Sequence, residues 1–179
     1  MPRYIAFLRA INLGGNRVAK NDVLRQVFEL LGFSGITTFF ASGNVAFVAR
    51  RSDVGRLETK IEERLRVVLG FDVPVFIRTS EELKEIANLA NARRSQIVGD
   101  VDFNIILLKD ELDESSRKGL MMLNANTDEF RIQGREIHWL RRKKPGKSLF
   151  STMPLGKVLR GPFTIRGANT ISRLAEKST

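Results

Sequence analysis

Along the first 78 residues the spacing of the apolar side chains switches between two periods, and this switch most limits what the chain can fold into. Four segments, 4–10, 36–41, 45–49 and 73–78, alternate or are apolar and rich in Val, Ile and Phe, which indicates strands. Between the first pair and between the last pair, apolar residues recur every three or four positions, which indicates helices. The order β-α-β-β-α-β predicts a ferredoxin-like unit, in which two helices cover one face of a four-stranded antiparallel sheet.

Both predicted helices carry end signals. The first begins behind a cap at Asn21 or Asp22 and stops before Gly32. The second follows a cap at Ser52 and stops at Gly70. These limits separate the helices cleanly from the strands on either side.

The second half of the chain predicts a second α+β subdomain. Thr79 and Glu82 have the spacing of a capping box and open a helix, after which a loop runs to residue 100. The pattern β-α-β-β and two short C-terminal helices follow. The predicted elements are a helix at 80–89, a strand at 103–108, a helix at 115–124, strands at 129–133 and 135–140, and helices at 153–159 and 170–176. We therefore expect an α+β protein with a ferredoxin-like subdomain at 1–79, a linking helix and loop at 80–99, and a second subdomain, βαββ plus C-terminal helices, packed with it at 100–179.

Residue usage excludes several kinds of site. With no cysteine and one histidine, the chain cannot form disulfides, zinc fingers, iron–sulfur clusters or histidine-rich metal centres. We predict no cofactor and no metal, although carboxylates that bind Mg²⁺ remain an open alternative. No apolar run approaches a membrane span, and residues 4–8 are too short for the apolar core of a secretory signal. The sequence therefore predicts a cytoplasmic protein with no membrane partner.

Positive charge is concentrated at the C-terminal end. The net charge is +10, and the last 39 residues hold ten basic side chains against one acidic side chain. Any anionic partner should meet this end, and a nucleic acid is one such partner. Its candidate phosphate contacts are Arg141, Arg142, Lys143, Lys144 and Lys147.

Two polar loops should lie at one edge of the first sheet. In the ferredoxin-like order, strands one and three are adjacent and antiparallel, so the loop after the first and the loop before the third share an edge. The glycines of the first loop allow a backbone amide site for an anion, although ordinary turns explain both loops equally well. The residues brought together are Arg9, Asn12, Gly14, Gly15, Ser42, Gly43 and Asn44.

Two other features favour structural readings. Gly146, Lys147 and Ser148 match the end of a P-loop, but Arg141 stands where that motif needs its first glycine, which excludes a P-loop nucleotide site. His138 lies in a predicted strand with no second histidine or cysteine to act with, so a packed or surface histidine is the better interpretation. Trp139 is likewise expected in the core.

Three motifs carry a family resemblance. Residues 4–15 (YIAFLRAINLGG) and 38–47 (TFFASGNVAF) resemble the first two motifs of the bacterial DUF1697 family, a domain of unknown function, with the family's spacing. Arg166 to Thr170 (RGANT) is similar to its third motif, R-N-W-N-T, although Gly167 and Ala168 replace asparagine and tryptophan. Ala10 also stands where the family usually has glycine. The resemblance implies two α+β subdomains, the first ferredoxin-like, and favours a site at the motif loops.

Two functional hypotheses from different classes follow. The first is a polar cleft between the subdomains that binds a small ligand with a phosphate or carboxylate group. The second is a nucleic-acid-binding module that acts through the basic C-terminal segment. The motifs contain no general base, so the sequence leaves open whether the protein is an enzyme, as it does its oligomeric state. The ligand-binding candidates are Arg9, Asn12, Gly14, Gly15, Ser42, Gly43, Asn44, Arg166, Asn169 and Thr170.

Overall fold

A computed structural model of the chain describes residues 1–12, 17–40, 43–124, 127–142 and 155–178. The chain divides into two compact units, one formed by Met1–Glu85 with Arg173–Thr179 and the other by Ile86–Ser172. Among the described residues, none of the helices is both long and apolar enough to cross a membrane. The subdomain limits predicted from the sequence, 1–79, 80–99 and 100–179, stay a prediction.

The first unit has the predicted ferredoxin-like topology. Its elements are β1 (Arg3–Leu8), α1 (Asn21–Leu30), β2 (Ser34–Phe39), β3 (Asn44–Val48), α2 (Val54–Leu69) and β4 (Val75–Thr79). The antiparallel sheet has the strand order β2-β3-β1-β4, so β1 and β3 are central as the sequence predicts.

Side chains that alternate along β1 build the core of this unit. Tyr4, Ala6 and Leu8 lie in one apolar cluster with the buried residues of α1 and α2, Phe28 and Ile61 among them. Burying an apolar side chain of this size stabilises the fold by about 1.5–3 kcal/mol. The period of two along the strand and the period near 3.6 along the helices therefore meet in one core.

Carboxylates from α2 cover the outer edge of β4. Glu58 Oε1 accepts a hydrogen bond from the Ile77 amide at 2.8 Å, and Glu62 Oε1 accepts one from the Val75 amide at 2.7 Å. Because an edge strand with open amides can pair with another chain, these glutamates protect the sheet as well as link α2 to it. Nothing in the helical period of α2 predicts this role.

The second unit repeats the β-α-β-β-α-β order, and this corrects the sequence prediction. The described elements of the second half are α3 (Ser80–Arg94), β5 (Val101–Leu108), α4 (Glu114–Met121), β6 (Asp128–Gln133), β7 (Glu136–Arg142), α5 (Leu155–Leu159), β8 (Phe163–Gly167) and α6 (Ala168–Lys177). The antiparallel sheet has the order β6-β7-β5-β8, in which β8 is a strand that the prediction lacks.

The fourth strand was missed because its alternation is short and mixed. Phe163 and Ile165 pack on the apolar cluster of the second sheet, whereas Thr164 and Arg166 point to the opposite face. A buried arginine in a five-residue segment breaks the apolar pattern by which strands are predicted.

Helix ends agree with the prediction in part. The capping box is confirmed, since the Thr79 amide donates to Glu82 Oε2 at 2.8 Å and the Glu82 amide donates to Thr79 Oγ1 at 3.1 Å. The cap of α2 is Asp53 and not Ser52. The cap of α1 is Lys20, which makes no side-chain capping bond, and not Asn21 or Asp22.

Strand β1 ends before residue 10 because the backbone there turns into the left-handed region. Ala10 and Asn12 both have φ of 57°. Asparagine tolerates this conformation, but for alanine it brings Cβ close to the following carbonyl oxygen, at a cost of roughly 1–2 kcal/mol. Ala10 is also the position at which the family motif usually has glycine.

Ala10→Gly should therefore stabilise the protein by about 0.5–1 kcal/mol, because glycine removes the strain but loses more backbone entropy on folding. Urea unfolding of the full chain measures this change. Ala92→Gly, at an exposed position inside α3, is the matched control and should cost about 1 kcal/mol. Equal destabilisation by both substitutions would contradict the strain at Ala10.

Candidate functional site

The Asn12 side chain holds the loop after β1. Its Nδ2 donates to the Ala19 carbonyl at 3.0 Å, and its Oδ1 accepts from the Ala19 amide at 2.9 Å. The Asn12 backbone amide also donates to Arg17 O at 2.9 Å. The carboxamide thus pairs with both backbone groups of Ala19, as a residue of a neighbouring strand would, and closes the loop. Gly14 and Gly15 lie outside the described residues.

The loop before β3 is also fastened by its backbone. Asn44 is 1% exposed, and its Nδ2 donates to Phe39 O at 3.1 Å across the hairpin. Gly43 has φ of 72°, and a Cβ on it would lie 2.5 Å from Ile11 Cδ1. Its carbonyl accepts from the Leu8 amide at 2.8 Å, which ties the loop before β3 to the end of β1. Ser42 lies outside the described residues.

Arg9 lies beside the same edge. Its backbone amide donates to Pro74 O at 2.9 Å, and its side chain is partly exposed. The structure thus brings Arg9, Asn12, Gly43 and Asn44 to one end of the first sheet. These side-chain contacts of Asn12 and Asn44 hold the backbone of their loops, and a ligand role for these residues stays a prediction.

One face of the second sheet carries several polar side chains in a row. In the strand register Arg131 is opposite His138, His138 is opposite Ile105, and Ile105 is opposite Arg166. Directly opposed residues point to the same face, with Cβ atoms about 5 Å apart. We call this the polar face; the opposite face carries Ile106, Ile137 and Trp139 in the apolar cluster.

Arg166 is held within this face. It is 8% exposed, and its Nη1 donates to Thr164 Oγ1 at 2.8 Å and to Ile165 O at 2.9 Å. Burial lowers the pKa of Arg166 to about 10, so the guanidinium remains charged at neutral pH. The side chain is turned back along its own strand.

His138 is buried among cations. It is 5% exposed, which confirms the packed-histidine interpretation, and its ring centroid lies 5.7 Å from that of Phe103. Burial first, and then the charges of Arg93 and Arg131, lower the pKa of His138 from 6.5 to about 4. The imidazole is therefore neutral at physiological pH. Trp139 is in the core, as predicted, and its Nε1 donates to Asp128 Oδ1 at 2.9 Å.

A cavity of about 380 Å³ lies where β8 ends and α6 begins. Asn104 of β5 is opposite Gly167, the last residue of β8, and α6 begins at Ala168. The lining residues are Arg94, Val101, Asp102, Phe103, Asn104, Gly167, Ala168 and Asn169. Asn169 is thus the predicted site residue that lies in this cavity, whereas Arg166 and Thr170 are not among its lining residues.

The sequence prediction missed Arg94 and Asn104. Arg94 is the last residue of α3, which the prediction ended at 89, and Asn104 is the one amide within an apolar strand. A polar residue in such an apolar run can indicate a binding site, because burying an amide is costly unless it has a hydrogen-bond partner.

The basic segment is only partly described. Arg141 is 8% exposed, with Nε 3.6 Å from Asp128 Oδ1 and its guanidinium 5.5 Å from the Trp139 ring. These contacts give Arg141 a structural role, and its phosphate contact stays a prediction. Arg142 is exposed, and Lys143, Lys144 and Lys147 lie outside the described residues. Within the described ranges, no three acidic, histidine or cysteine side chains are grouped to hold a metal ion.

Comparisons with known proteins agree with this fold. Residues 1–138 match the model of DUF1697, described as a protein of unknown function. A solved structure, the conserved bacterial protein SP0830 from Streptococcus pneumoniae, superposes with a TM-score of 0.76 at 21% identity, covering 99% of each chain. No curated protein matches. The likeness to the solved structure concerns the fold alone.

His138 should make the stability of the protein depend on pH. Because its pKa is near 6.5 when unfolded and about 4 when folded, the unfolded state binds more protons between these values. The contribution of His138 to the free energy of unfolding should be fully present above pH 6.5. It should fall by roughly 2 kcal/mol, after allowance for solvent screening, as the pH drops toward 4. Urea unfolding from pH 4 to 7 measures this slope.

His138→Gln removes the titrating group and keeps an amide in the same place. Its stability should vary less with pH across that window than the stability of the wild-type protein. Identical profiles for the two proteins would show that His138 is not the group responsible.

Proposed function

Because this chain belongs to the DUF1697 family, whose members are described as proteins of unknown function, we propose a function from its geometry: the second unit binds a small molecule that has a phosphate or carboxylate group. The single observation that carries the proposal is the cavity at the start of α6. Its volume of about 380 Å³ falls within the range of small-molecule sites, about 300–1,000 Å³.

One end of this cavity suits an anion. The first residues of α6, Ala168 and Asn169, lie in the lining, where backbone amides and the helix dipole favour negative charge. Arg94 adds a full positive charge, and its side chain is exposed. The carboxamides of Asn104 and Asn169 add donors.

Asp102 narrows the class of ligand. Asp102 is in the same lining, and its negative charge would repel a ligand that is anionic throughout. A hydroxyl or ammonium group on the ligand would instead donate to it. We therefore favour a small phosphate ester or amino acid over a bare inorganic anion.

The other predicted residues have separate places in this proposal. Arg166 and Thr170 flank the lining residues Gly167 and Asn169, so they position the end of β8 and the first turn of α6. The loop candidates of the first unit, with Gly14, Gly15 and Ser42, stay predictions. Nucleic-acid binding through Arg141, Arg142 and the lysines that follow them also stays a prediction.

Asn169→Asp tests the cavity without weakening the helix. An aspartate at the second residue of α6 interacts favourably with the helix dipole, so the protein should be as stable as the wild type or slightly more stable. The same charge repels an anionic ligand, so affinity for glycerol 3-phosphate should fall at least about tenfold. Isothermal titration calorimetry at constant ionic strength measures it.

Asn21→Asp is the matched control, because Asn21 is the exposed first residue of α1 in the other unit. It should leave the affinity unchanged. Arg94→Gln should weaken binding as Asn169→Asp does. Wild-type protein that binds neither glycerol 3-phosphate nor serine, or equal affinities in all variants, would contradict the cavity as the binding site.

A further inference from the structure

We infer that the polar face of the second sheet holds a small monovalent anion, of the chloride type, between Arg93 and His138. Two polar atoms there are buried and have no hydrogen-bond partner among the described residues: Arg93 Nη1 and His138 Nε2. Arg93 is 9% exposed and His138 is 5% exposed. Buried polar atoms are almost always satisfied, so such orphans indicate an ion or a water.

The two orphans belong to one cluster. The Phe103 ring lies 5.7 Å from the His138 ring and also 5.7 Å from the Arg93 guanidinium carbon. Arg131 is opposite His138 in the strand register, on the same face. Arg93 of α3 and His138 of β7 therefore both lie against one aromatic ring, and the charge of Arg93 acts on the imidazole.

Charge favours an ion over a water. Glu129 Oε1 accepts from both Arg93 Nη2, at 2.9 Å, and Arg131 Nε, at 3.0 Å, so a single carboxylate oxygen serves two guanidinium groups. The neutral imidazole adds no negative charge. On the described strands this face carries three cations, Arg131, Arg142 and Arg166, against two anions, Glu129 and Glu136. Arg93 of α3 adds a further positive charge beside Glu129.

Burial selects the kind of anion. Removing an ion from water costs several kcal/mol, and this desolvation cost rises steeply with the charge of the ion. A singly charged, weakly hydrated ion is therefore favoured over a phosphate dianion. Neither Arg93 nor His138 lines the cavity at α6, so this inference does not depend on the proposed function.

The one histidine of the chain makes the test direct. The imidazole signal of the full-length protein is followed by NMR from pH 3.5 to 8 while gluconate is replaced by chloride at constant ionic strength. Constant ionic strength keeps charge screening equal in all samples. A bound chloride should stabilise the imidazolium and raise the pKa of His138 by about one unit, with a saturable dependence on chloride.

Two variants separate this site from general charge effects. Arg93→Gln removes an anion ligand and should abolish the chloride dependence of the His138 pKa. Lys84→Gln removes the same charge from an exposed position of the same helix and should leave that dependence intact.

Crystals grown with bromide supply a second readout that needs no substitution. An anomalous peak within hydrogen-bonding distance of Arg93 Nη1 and His138 Nε2 is expected. Equal pKa values in chloride and gluconate, or an ordered water in place of bromide, would overturn the inference. Loss of glycerol 3-phosphate binding in Asn169→Asp with the chloride dependence retained would show that the two sites are separate.

Discussion

The central position of one strand in each sheet is the constraint on which the rest of the structure depends. β1 pairs with β3 and β4, and β5 pairs with β7 and β8, in both cases antiparallel. A strand with partners on both sides has its backbone groups satisfied, so it can be buried on both faces. Ile5 and Phe7 are 0% exposed, as are Ala6 and Ile105. The chain must then leave the sheet at the ends of these strands, where the candidate sites lie.

The two units share a topology, but they differ in the chemistry of the sheet face opposite the unit's own apolar cluster. In the first sheet this face carries Ile5, Phe7, Ala46 and Phe76, with Arg78 at 1% exposure donating to Ile77 O. In the second sheet it carries His138 and Arg166. The apolar face adds stability by burial, whereas the polar face pays a desolvation cost that must be offset by hydrogen bonds or a bound ion.

Sequence patterns predicted the first unit well because each pattern depends only on residues that are close together in the chain. The period of two in β1 and the period near 3.6 in α2 are properties of neighbouring residues, and the capping box of Thr79 and Glu82 spans three positions. β8 was missed for the opposite reason. Arg166 is tolerated in this strand because Thr164 Oγ1 and Ile165 O accept hydrogen bonds from its guanidinium. The apolar pattern of a strand does not show such hydrogen bonds. The same holds for Glu58 and Glu62, whose carboxylates reach a strand that follows them in the chain.

The sequence by itself determined the α+β class, the order of the elements in the first unit, the family and the residue types from which a site could be built. The tertiary structure decided which of those residues meet. The side chains of Asn12 and Asn44 bond to backbone groups of their own loops, while Asn169 of the third motif joins Arg94 and Asn104, which lie outside the motifs, around a cavity. Local periodicity depends on neighbours in the chain, but a site depends on register, since the pairing of β5 with β7 and β8 sets which distant side chains share a face.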